Sequence, residues 1–120
     1  MSRKRNVILR ADGNREIGMG HFMRCVSLAA MLGDNFHCRF AVSDPQKYHE
    51  DEVKRVNGSL ICLPAGDEHF NTFLTIPSKG DIVVLDNYFF DTGYQKKVRD
   101  TGCSLVCIDD MHNRHYVADI

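Results

Sequence analysis

Two runs in this chain, Ile82-Val83-Val84-Leu85 and Leu105-Val106-Cys107-Ile108, contain no polar residue. A strand with one wet face alternates apolar and polar residues. A strand that is apolar at every position needs cover on both faces, as in parallel sheets sandwiched by helices. The rest of the chain fits that demand. Asn6–Arg10, His37–Val42 and Leu60–Leu63 read as three further strands, and Asp81–Leu85 and Ser104–Ile108 hold the two continuous runs. Between them, His21–Leu32, Gln46–Val56, Asp67–Leu74 and Asp91–Asp100 read as helices. The first carries Phe22, Cys25, Val26, Leu28, Ala29 and Leu32 at helical spacing and stops at Gly33. Asp67 and Asp91 stand where the third and fourth need N-caps. Strict alternation of strand and helix predicts an α/β fold, a Rossmann-like doubly wound parallel sheet.

Composition narrows the class. A length of 120 residues is one domain's worth of chain. A net charge of −1 lacks the basic surplus a nucleic-acid binder needs. No apolar run approaches the ~20 residues of a membrane span. Val7-Ile8-Leu9 behind the basic start is too short for a signal-peptide core, so the expected location is cytoplasmic. The five cysteines are odd in number and form no C-x-x-C, which reads as core thiols at Cys25, Cys38, Cys62, Cys103 and Cys107. Val117-Ala118-Asp119-Ile120 reads as the start of a sixth strand, so residues 1–120 are expected to be the N-terminal domain of a longer protein.

In open α/β sheets ligands bind beyond the carboxyl ends of the strands. Three polar segments gather there. The first joins strand one to helix one and holds Arg10, Asp12, Asn14, Gly18, Met19, Gly20 and His21. Its glycines permit close backbone approach, and it feeds a helix N-terminus that favours anions. His21 in the first helical turn has its cation opposed by the helix dipole, which suits a neutral imidazole that accepts a proton. A helix-capping or packing histidine is the plain alternative. The second segment begins Asp86-Asn87-Tyr88; Asp91 can cap the next helix, which leaves Asp86 and Tyr88 for a ligand and Phe90 for the core. The third begins Asp109-Asp110, two acids at a strand end that can hold Mg²⁺, accept protons or bind hydroxyls, one of them facing the ligand. His112 and His115 lack a clear third ligand, so they read as an exposed loop and not as a zinc site, and no cofactor is expected. His37, His49 and His69 read as surface or structural residues.

The stretch Arg10-Ala-Asp-Gly-Asn, Ile17-Gly-x-Gly-His21 and Met23-Arg24-Cys25 resembles the N-terminal signature of the UDP-sugar hydrolases of pseudaminic acid biosynthesis and of related spore-coat polysaccharide proteins. Val84-Leu85-Asp86-Asn87-Tyr88 and Cys107-Ile108-Asp109-Asp110 look like the same family's strand ends. The resemblance implies the N-terminal half of a GT-B architecture. It also implies a UDP-2,4-diacetamido-2,4,6-trideoxyhexose substrate and water attack at the anomeric carbon without metal. His21 is then the base or positioner of that water. Gly18, Met19 and Gly20 lie near the diphosphate, and Tyr88 near the sugar or the water. Arg10, Asp12 and Asn14 shape the loop and sugar pocket. A missing C-terminal domain supplies the uridine site. A glycosyltransferase of similar fold and a non-catalytic nucleotide-sugar-binding module are the alternatives.

Overall fold

The computed structural model describes residues 4–13, 19–86 and 90–108. Five strands, β1 (Arg5–Arg10), β2 (Phe36–Ser43), β3 (Ser59–Leu63), β4 (Ile82–Leu85) and β5 (Ser104–Cys107), alternate with four α-helices. The helices are α1 (Gly20–Leu32), α2 (Lys47–Arg55), α3 (Glu68–Phe73) and α4 (Thr92–Arg99), and a short 3-10 turn, Gly33–Asn35, follows α1. The pairings are all parallel and the sheet order is β3-β2-β1-β4-β5. The chain winds outward from β1 to β3, then crosses back over β1 to lay down β4 and β5. Each strand and α-helix boundary falls within one residue of the sequence reading.

Cover on both faces explains the continuous apolar runs. Successive strand residues point to opposite sides. Val84 therefore joins Val7, Leu9 and Phe40 in a core under α1 and α2. Val83 and Leu85 join Ile8 and Leu105 in a second core under α3 and α4. Helix α1 buries Phe22, Cys25, Val26 and Ala29, a stripe at i, i+3, i+4 and i+7. Removing a side chain such as Phe22 from water contributes about 1.5–3 kcal/mol. The helix ends at Gly33, whose φ of 62° lies in the left-handed region that penalises a Cβ.

Local signals set the other helix starts. Asp91 caps α4, its side chain accepting from the Tyr94 N–H at 2.8 Å. Asp67 occupies the position before α3 but makes no side-chain cap, which corrects the sequence expectation. Its own backbone is already helical, φ −66° and ψ −16°, whereas a capping side chain needs an extended backbone to fold back over the first turn. At α2 the cap is reciprocal: the Gln46 side chain accepts from the His49 backbone, and the His49 ring accepts from the Gln46 backbone.

Cys25, Cys38 and Cys103 are buried, and Cys103 and Cys107 pack against one core as their spacing requires. Cys62 is exposed, against expectation, because β3 is an edge strand. The sixth strand read at Val117–Ile120 lies outside the described residues. Among the described residues no helix is long and apolar enough to cross a membrane.

Candidate active site

The winding direction reverses between β1 and β4, and it is beyond the carboxyl ends of strands at such a point that open α/β sheets take ligands. Asp86 follows β4 directly, and its N–H extends the ladder to the Arg10 carbonyl at 3.1 Å. Since Leu85 points into the α3/α4 core, Asp86 points the other way, toward α1. Helix α1 answers with His21 and Arg24, three residues apart and hence on one face.

The three side chains form a tight cluster. His21 Nδ1 lies 2.8 Å from Asp86 Oδ1. Arg24 donates from Nε to Oδ2 at 2.8 Å and from Nη2 to Oδ1 at 2.5 Å. The Asp86 side chain is fully buried, His21 is 15% exposed and Arg24 37%. A carboxylate can only accept, so the contact to Asp86 places a proton on Nδ1, and in the neutral imidazole the lone pair is then on Nε2. Cys25 completes the floor, its Sγ 3.9 Å from Oδ2. Burial, reinforced by the Asp86 charge, pushes this thiol's pKa far up, so Cys25 stays a protonated core thiol and not a nucleophile.

Helix α2 holds the start of the β1–α1 connection. His49 is buried, with Nδ1 accepting from the Gln46 N–H at 2.8 Å. Its proton is therefore on Nε2, which donates to the Gly13 carbonyl at 2.7 Å. The Tyr48 hydroxyl donates to the same carbonyl at 3.0 Å. The Phe22 ring meets His49 edge-on at 4.7 Å, tying this anchor to the α1 core. A cavity of about 250 Å³ opens at the carboxyl ends of β1, β2 and β3, lined by Asp12, Gly13, Ser43, Tyr48 and Gly66 among others.

Arg10 and Asp12 form a separate cluster. Arg10 continues the Ile8 side of β1 into the α3/α4 layer and is fully buried. Its Nη1 and Nη2 grip the Asp12 carboxylate at 2.6 and 3.1 Å, and Asp12 also accepts from the Ser43 N–H at 2.9 Å. Nη2 donates to His69 Nδ1 at 3.0 Å, and the guanidinium carbon sits 5.3 Å from the centre of the Phe90 ring. Burial and then the Arg10 charge lower the His69 pKa, so that ring is held neutral. Among the described residues Arg10 Nε has no hydrogen-bond partner. Tyr94 in the same layer is pushed up to about 12 by burial, so its hydroxyl stays a donor, to the Phe70 carbonyl at 2.8 Å.

The structure thus brings His21 and Asp86 together and turns Arg10 and Asp12 toward the opposite face of the sheet. Met19 and Gly20 frame the start of α1. Asn14, Gly18, Tyr88, Asp109 and Asp110 lie outside the described residues. Sequence reasoning gave no role to Arg24, although its spacing from His21 was a usable signal. It also missed the links from His49 to Gly13 and from His69 to Arg10, which no local pattern announces. Among the described residues no group of three or more His, Cys, Asp or Glu side chains is placed to hold a metal ion.

No protein-family model, curated protein or solved structure matches this chain.

Proposed function

We propose that this chain is the base-supplying domain of a nucleotide-sugar hydrolase, the N-terminal half of a GT-B architecture. The substrate is a UDP-2,4-diacetamido-2,4,6-trideoxyhexose of surface-polysaccharide or pseudaminic acid biosynthesis, and the reaction releases UDP in the cytoplasm. The observation that carries the reading is the Asp86–His21 hydrogen bond, 2.8 Å long, beyond the strand ends where the sheet order reverses. The signature around Gly20-His21 and the strand end at Asp86 support the substrate class.

The chemistry follows from the tautomer. With Nδ1–H committed to Asp86, His21 Nε2 accepts a proton from water. The water oxygen bonds to the anomeric carbon while the bond from that carbon to the β-phosphate oxygen breaks, and the electron pair leaves with UDP. The proton rests on the imidazole, whose positive charge the buried Asp86 carboxylate stabilises. Attack opposite the leaving group inverts the anomeric centre. Gly18, Met19 and Gly20 lead into the α1 N-terminus, whose free N–H groups suit the diphosphate. The resemblance assigns Tyr88 to the sugar or the water and Asn14 to the loop and sugar pocket, and Asp109 or Asp110 can meet substrate hydroxyls. Arg10 and Asp12 shape the loop from behind. A second Rossmann-like domain holds the uridine, and no metal or cofactor takes part.

The test is UDP release by the complete protein given UDP-sugar alone. The reading predicts release without acceptor, unaffected by EDTA, and a roughly 10²- to 10⁴-fold loss in His21→Leu. Unchanged turnover in that variant rejects the role of His21. Release only with an added sugar acceptor makes the protein a transferase. Binding without release makes it a binding module.

A further inference from the structure

We propose that Arg24 is a positioning residue of this site: its guanidinium fork sets the rotation of the Asp86 carboxylate and thereby the tautomer of His21. The proposal rests on the reading of His21 as the base, but its physical claim is tested without turnover.

The cluster contains a conflict that only geometry resolves. Arg24 Nη2 lies 3.1 Å from His21 Nδ1, close enough to donate to it. If it did, the imidazole proton would sit on Nε2, the wrong place for a base that faces substrate. Both nitrogens instead meet at one oxygen, Asp86 Oδ1, at 2.5 Å from Arg24 and 2.8 Å from His21. The Arg24 Nε contact to Oδ2, at 2.8 Å, makes the grip two-point. A carboxylate held by both oxygens cannot turn about its terminal bond, so Oδ1 stays in the plane where Nδ1–H must point. A lysine ammonium would supply the same charge without the fork.

A simpler role for Arg24 is charge compensation, because Asp86 is fully buried and needs a cation nearby. The two roles predict different behaviour for Arg24→Lys. Compensation alone is restored by lysine; positioning is not. In protein labelled with nitrogen-15 histidine, the imidazole nitrogen shifts report which ring nitrogen carries the proton. The native chain is expected to show His21 protonated on Nδ1. Arg24→Lys is expected to fold and to show a substantial Nε2–H population at His21. In the complete protein, kcat for UDP release falls roughly 100-fold or more with little change in KM, as expected when a base is held in the wrong tautomer.

Native nitrogen shifts and native turnover in Arg24→Lys overturn the proposal. Should the lysine variant fold poorly, Arg24→Gln removes the two-point fork and leaves the Asp86 carboxylate in place. Its His21 must then lose the Nδ1–H preference, and retention of that preference counts equally against the proposal. If the tautomer shifts as expected while His21→Leu still releases UDP, the positioning claim stands and the hydrolase reading fails. If His21→Leu is inactive and the tautomer is indifferent to Arg24, the reverse holds.

Discussion

Two Arg–Asp–His clusters flank the carboxyl ends of the central strands, and they are wired with opposite polarity. In the α3/α4 layer the arginine is the buried member: Arg10 is fully enclosed and the Asp12 side chain is 16% exposed. In the α1 layer the carboxylate is the buried member, and Arg24 reaches toward solvent. The histidines follow their partners. His69 turns Nδ1 to an arginine, so Nδ1 must accept and the proton sits on Nε2. His21 turns Nδ1 to a carboxylate, so Nδ1 must donate and Nε2 keeps the lone pair. The same three residue types therefore hold one ring with Nδ1–H on a carboxylate and the other with Nδ1 accepting from an arginine. The choice depends on which charged partner the fold buries beside the ring.

That contrast can be broken from either side. The largest effect is expected for Asp86→Asn in the complete protein. An amide can donate to the ring as well as accept from it, so His21 loses its enforced tautomer and, on the proposed function, UDP release falls roughly 10²- to 10⁴-fold. Next comes Arg10→Met, which leaves Asp12 partly buried without its cation. Chemical denaturation should show a loss of about 3–5 kcal/mol, the range for removing one partner of a buried pair. The His21 nitrogen shifts should stay native, because the two clusters occupy opposite faces. His49→Leu removes the α2 capping box and one of two donors to the Gly13 carbonyl, and should cost about 1–2 kcal/mol by the same measurement.

The smallest effect concerns His69. Its pKa is lowered from 6.5, so between the two values the unfolded chain binds more protons than the folded one. His69 therefore costs nothing above pH 6.5 and erodes stability as the pH falls from 6.5 to its lower folded value. His69→Gln should flatten that part of the profile, read as urea midpoints on either side of pH 6.5.

The legibility of these features in the sequence follows their range. The continuous runs at 82–85 and 105–108 revealed a doubly covered sheet because burial on both faces leaves no room for alternation. Helix α1 was plain because Phe22, Cys25, Val26 and Ala29 repeat at the helical period and Gly33 closes it. His21 and Asp86 stood out singly, one at a helix start and the other at a strand end. Their contact spans 65 positions, and only the sheet order brings the two ends together. Arg10 reads as part of the ligand loop because it stands at the carboxyl end of a strand, where open α/β sheets take ligands. Strand alternation instead carries it inward, where His69, 59 positions away, receives it. Cys62 looked like a core thiol because its neighbours are apolar; that β3 is an edge strand is a fact of topology, which composition does not record.

The central claim is that partner identity sets opposite tautomers at His21 and His69. Imidazole nitrogen-15 shifts of the native, histidine-labelled protein above pH 6.5 test it in one experiment. The account predicts His21 protonated on Nδ1 and His69 protonated on Nε2. Finding both rings in the same tautomer, or His21 protonated on Nε2, would contradict it.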